Sequence, residues 1–139
     1  YLYGDTGSLG ESITRLQKAE RRFNNLDMYT RSVADHLTEV AMGAMELLFH
    51  YGVEDFEERF VAEYERAAAK HPGMTLECDN HSDETRFYAL AEEVGEVAAS
   101  LTYDNDNSTG HMADTIAEVT QVGALALAWV TRYQDVKKN

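Results

Sequence analysis

The chain has 139 residues, 44% of them hydrophobic, which leaves room for one domain built on one core. Its 25 acidic residues against 12 basic ones give a formal net charge of −13, and no run of Lys or Arg is longer than Lys137-Lys138. That balance argues against nucleic acid or an anionic membrane as a partner, and it lets a phosphate group approach only where divalent cations bridge the like charges.

A single proline and long stretches rich in Ala, Glu, Leu, Met and Arg predict an all-α fold, a bundle of about five helices. The first is expected from about Leu9 to Phe23, opened by a capping-box pattern at Ser8 and Glu11 and closed by Asn24-Asn25. A second, from about Met28 to Tyr51, sets Val33, Leu37, Val40, Ala44, Leu47 and Leu48 on one stripe, with Gly52 as its stop. The third, from about Glu54 to Lys70, spaces Phe56, Phe60 and Tyr64 four apart and ends at His71-Pro72-Gly73. After a short loop, the fourth begins near Ser82 or Asp83 and runs to about Tyr103, with Phe87, Leu90, Val94, Val97 and Leu101 on one side. The polar loop Asp104 to Gly110 separates it from a last helix, from about Met112 to Tyr133. Between Val122 and Val130 that helix is apolar nearly all round, the signature of a central or interface helix.

One cysteine, Cys78, excludes an internal disulfide and a cysteine-rich zinc site, so any metal is expected on oxygen ligands. No apolar run reaches the roughly 18 residues of a membrane span, and Tyr1-Leu2-Tyr3-Gly4-Asp5 lacks the charged and apolar regions of a signal peptide. A cytoplasmic setting is the expectation.

Chemistry concentrates in Glu92-Glu93-Val94-Gly95-Glu96. At about 100° per residue these three carboxylates fall within roughly a 100° arc of one helix, an arrangement suited to a hard divalent cation. The same spacing also describes an ordinary solvated acidic face, because the arc lies largely opposite the apolar stripe. On the last helix, Asp114, Glu118 and Gln121 form a polar stripe that continues into Leu125 and Trp129. Acids beside an apolar wall suit a metal-bound phosphate next to a base, whereas a core helix with acids at its N-terminal end would look the same.

Glu92-Glu93-Val94-Gly95-Glu96 resembles the EExxE element of MazG-like nucleotide pyrophosphohydrolases, and Glu118-Val119-Thr120-Gln121, with the apolar run to Trp129, resembles the helix carrying their second acidic element, ExxD. The resemblance covers about Thr85 to Trp129, with a helical extension over about residues 1–80. Gln121 stands where the Asp belongs; in another register Glu118 stands for the Asp and Thr115 for the Glu, and Asp114 one turn earlier restores a charge. The resemblance implies hydrolysis of a nucleoside triphosphate between the α and β phosphates with Mg²⁺ or Mn²⁺, in a homo-oligomer, dimer or tetramer. It implies metal ligands or a base among Glu92, Glu93, Glu96 and Glu118, with Glu93 and Glu96 as the catalytic pair.

Arg86, near the start of the EExxE helix, is a candidate for a phosphate contact or for a salt bridge to a nearby acid. Gln121, Trp129 and Tyr103 are further substrate-binding candidates, the aromatic pair by stacking on a base. His36, His50, His71, His81 and His111 form no metal-ligand pair and read as surface or loop residues. The loop from Asp104 fails as an EF-hand, since Thr109 occupies the tight-turn glycine position and Thr115 the closing glutamate. No serine or cysteine lies in a nucleophile motif. Beside the hydrolase stands a second reading, a non-catalytic helical module that binds a partner or a nucleotide.

Overall fold

A computed structural model describes residues 6–13, 27–101 and 111–133. Five helices and no strand occur among them: α1 over residues 6–13, α2 Asp27–His50, α3 Phe56–Lys70, α4 Asp83–Ser100 and α5 His111–Val130, the last followed by a 3-10 turn, Thr131–Tyr133. The fold is the all-α bundle that composition and periodicity predict. No helix among the described residues is long and apolar enough to cross a membrane.

The hub is α5, which packs against α2, α3 and α4. Val119, Val122, Gly123, Ala124, Ala126, Ala128 and Trp129 are all buried, so its all-round apolarity is consumed inside one chain and does not by itself call for a partner copy. From α2 the stripe Val33, Leu37, Val40, Ala44 and Leu48 meets it, fully buried. Residues before 80 therefore build the core as much as the later helices do.

Helix ends follow local chemistry. At the end of α2, Gly52 adopts φ +84°; its N–H donates to Phe49 O (2.9 Å) and that of Val53 to Leu48 O (3.0 Å). With Leu48 and Val53 both buried, this is a Schellman stop with its apolar contact. Ser82 caps α4 by accepting a hydrogen bond from Thr85 N at 3.1 Å. Ser8, by contrast, lies inside α1, which is already helical at residue 6, and so does not cap it. Burial of Leu9 and Ile13, one turn apart, carries that helix through Gly7. The expected continuation of α1 to Phe23 lies outside the described residues, as do Tyr103 and the loop Asp104 to Gly110.

Close approach of α3 to α5 depends on Gly123. A Cβ there would sit 2.3 Å from Cε1 and 2.5 Å from Cζ of Phe60, whose side chain is buried. Gly123→Ala is accordingly expected to destabilise the protein by about 2 kcal/mol, overpacking outweighing the gain in helix propensity. A lower urea midpoint at unchanged slope is the outcome that checks it.

Candidate metal centre and cleft

Contacts between α4 and α5 set the site. Ser100 Oγ and Thr115 Oγ1 share a buried hydrogen bond at 2.9 Å, and at the opposite end Tyr133 Oη donates to Asp83 Oδ1 at 3.3 Å. Residue numbers rise along one helix as they fall along the other, so the helices run antiparallel. That register faces Glu96 and Glu93 of α4 with Glu118 of α5.

Carboxylate oxygens of Glu93, Glu96 and Glu118 lie within 4.8 Å of one another. Glu93 and Glu118 are half-buried and Glu96 is exposed. Glu93 Oε2 and Glu118 Oε2 are buried with no hydrogen-bond donor facing them. A solvated acidic face would not strand oxygens in this way, because burying an unpaired carboxylate costs free energy. Burial first, then the charge and contact of Glu96 and the charge of Glu118, push the Glu93 carboxyl up to about 8. Burial and the contact with Glu96 push Glu118 up to about 7, with Asp114 adding a smaller repulsion. Three oxygen donors, two of them orphaned, fit a hard divalent cation such as Mg²⁺ or Mn²⁺.

Beside the trio opens a cleft of about 350 Å³, walled by α3, the loop after it, α4 and α5. Its floor is apolar, from Leu76, Ala89, Ala124, Leu125 and Ala128, and its polar members include Glu63, Arg66, Thr75, Glu93 and Gln121. Glu93 thus belongs to the carboxylate trio and to the cleft. The volume falls in the range of small-molecule sites.

The sequence-derived candidates divide sharply. Glu93, Glu96 and Glu118 come together, and Gln121 lines the cleft beside them. Glu92 is exposed on α4 outside the trio, and Asp114 is exposed one turn before Glu118. Trp129 is not a stacking wall: it is fully buried, its Nε1 donating to Tyr133 Oη at 3.0 Å. The cleft-facing stripe of α5 is Gln121, Ala124, Leu125 and Ala128, so Ala128 occupies the place expected of the tryptophan. Nor does Arg86 face a phosphate. It is 2% exposed, with Nε donating to Leu76 O (2.7 Å), Nη2 to Cys78 O (2.7 Å) and Nη1 to Asp83 Oδ1 (2.8 Å). The salt-bridge alternative holds, and the residue fastens the cleft-forming loop to α4.

Other cleft residues are ones whose place in the site no motif of the sequence marks. Tyr64, Arg66 and His71 come from α3 and its end, Thr75 from the loop. Tyr64 Oη and Thr75 Oγ1 both donate to Glu77 Oε1, holding that loop against α3 and keeping the Tyr64 phenol protonated above its ordinary range. Of the remaining histidines, His36 lies beside Glu39, His50 packs edge-on to Tyr51, and His81 Nε2 bonds Met74 O at 2.9 Å. The side chain of His111 is outside the described residues. No protein-family profile, curated protein or solved structure matches this chain.

Two predictions come from this geometry. Arg86→Ala is expected to cost roughly 3 kcal/mol, since it strands Asp83 and two loop carbonyls, and urea unfolding measures it. The second concerns pH. Glu93 and Glu118 hold protons in the folded state at pH values where the unfolded chain has lost them, so folding binds protons. The stability this gives is full below about pH 4.5 and is lost as pH rises through about 7 to 8. Melting temperature of the metal-free protein should therefore fall across that window, and Glu93→Gln should remove most of the slope.

Proposed function

We propose that this chain is a metal-dependent nucleoside triphosphate pyrophosphohydrolase, converting a ribo- or deoxynucleoside triphosphate and water into the monophosphate and pyrophosphate. One observation carries the reading: buried, donorless carboxylate oxygens of Glu93 and Glu118 close against Glu96, beside an apolar cleft that Glu93 also lines. The resemblance of Glu92 to Glu96 and of the α5 sequence to MazG-like enzymes supports the same chemistry.

Glu93, Glu96 and Glu118 would hold the cation, which when bound neutralises phosphate charge and acidifies water. The rest falls to the chain's own groups. Leu76, Ala89, Ala124, Leu125 and Ala128 offer an apolar bed for a planar base, replacing the wall expected of Trp129. Gln121, neutral and able to donate or accept, suits a sugar or base edge at the same rim. Among the trio, Glu93 is the one that lines the cleft, which suits it to take the proton of the attacking water. Attack at the α phosphorus breaks the bond to the bridging oxygen, and pyrophosphate leaves with that oxygen. A homo-oligomer belongs to the same proposal and rests on the family resemblance, and a cytoplasmic setting rests on the single cysteine of the sequence.

Pyrophosphate release from a panel of ribo- and deoxynucleoside triphosphates, with and without Mg²⁺ or Mn²⁺, tests it. Wild type should release pyrophosphate only with metal, and Glu93→Gln should lower the rate by about 10²-fold or more while melting at or above the wild-type temperature. Metal-independent release, or none from any nucleotide, would leave the non-catalytic binding module as the better account.

A further inference from the structure

A cleft that takes a polyphosphate beside this trio has an unbalanced charge. Three ionised carboxylates and one divalent cation leave about one negative charge in excess before any phosphate enters. A positive side chain on the opposite wall would correct that, and the described cations differ greatly in their freedom to serve. Arg86 is buried and spent on loop carbonyls and Asp83. Arg132 bonds Glu77 O and Asp79 Oδ1, both at 2.9 Å, and Arg59 pairs with Asp55. Among the described residues lining the cleft, Arg66 is the one arginine or lysine.

Arg66 stands on α3 and lines the same cleft as Glu93 of α4; its charge is held by Glu63 first and by Glu93 to a smaller extent. Its side chain is 55% exposed and leans on Glu63 one turn earlier, Nε to Oε2 at 3.0 Å and Nη2 to Oε1 at 2.6 Å. Glu63 lines the same cleft. Glu63, 18% exposed, holds the guanidinium through two hydrogen bonds, so a phosphate has to replace a two-point contact in kind. A guanidinium matches two phosphate oxygens with two parallel N–H bonds, which a carboxylate of single charge does not outcompete.

We propose that Arg66 is the phosphate-binding arm of this site, parked on Glu63 until a metal-bound di- or triphosphate group draws it across the cleft to face Glu93. This rests on the hydrolase reading for its ligand, yet it concerns the phosphate groups alone and is testable without turnover. Arg66 is thereby the specificity element for charge: it rewards phosphates that the trio and its cation hold, and offers nothing to a neutral nucleoside.

Titration calorimetry of inorganic pyrophosphate in Mg²⁺-containing buffer separates the possibilities. Arg66→Ala should weaken binding at least about tenfold and Arg66→Lys by an intermediate factor, because an ammonium keeps charge but not the fork. Glu63→Gln should bind a few-fold more tightly, having lost the competing carboxylate. Arg59→Ala removes the same charge from the same helix outside the cleft and should stay within about twofold of wild type; thermal melts establish that each variant folds. Wild type failing to bind pyrophosphate, Arg66→Ala binding like wild type, or Arg59→Ala losing as much as Arg66→Ala would each overturn the proposal. Arg66-dependent pyrophosphate binding in a protein that cleaves no nucleotide would sink the hydrolase and keep the arm, whereas nucleotide cleavage indifferent to Arg66→Ala would sink the arm alone.

Discussion

Ser100 and Thr115 share a hydrogen bond between side chains that are both almost wholly buried, and the geometry of the site follows from the register it fixes between α4 and α5. One turn inward from that contact, Glu96 meets Glu118; the next turn pairs Glu93 with Gln121 in the cleft wall, and the next Ala89 with Leu125. Acid, amide and apolar positions are thus graded along one helix seam. A shift by one residue would rotate each helix by about 100° and disperse all three layers, so the hydroxyl pair at one end and Tyr133 against Asp83 at the other hold a chemical gradient as well as a packing arrangement.

Gathering carboxylates at such a seam works against folding, since each raises the cost of ionising the next. The chain offsets this with apolar burial elsewhere: α5 sits among three helices and Trp129, the largest of its fully buried side chains, closes the end away from the acids. Arg86 contributes in a different way, converting a loop with two inward carbonyls into a wall of the cleft. The acidic end of the seam is destabilised and the apolar end stabilised, a division expected where function is placed on a rigid scaffold.

Much of this was legible in the sequence because it depends on neighbours along the chain. Helical period located α2 to α5 within a few residues, Gly52 marked a true stop, and the 92–96 spacing put Glu93 and Glu96 on one arc. What failed depends on partners far away in sequence. Glu92 shares the arc, but α5 lies on the other side of it; Trp129 continues the polar stripe of α5 by spacing, yet the 3-10 turn and Tyr133 cover it. The salt bridge of Arg86 to Asp83, one turn away, was among the readings open to the sequence, but the two carbonyls that also claim it belong to a loop without regular structure. Tyr64 shares the four-residue spacing of Phe56 and Phe60, and the docking of α3 on α5 through Phe60 and Gly123 brings it to the cleft together with Glu63 and Arg66.

Gln121 takes its meaning from the same seam. It lines the cleft, and in this packing a carboxylate there would sit beside Glu93, whose ionisation is already opposed by burial and by two neighbouring acids. A neutral amide at that position keeps a polar group facing the cleft without adding to the repulsion, and it leaves the wall able to donate a hydrogen bond, which no ionised acid does. Gln121 therefore separates the carboxylate trio from the apolar floor with a neutral group, and Arg66 of α3 is the one arginine or lysine among the described residues lining the same cleft.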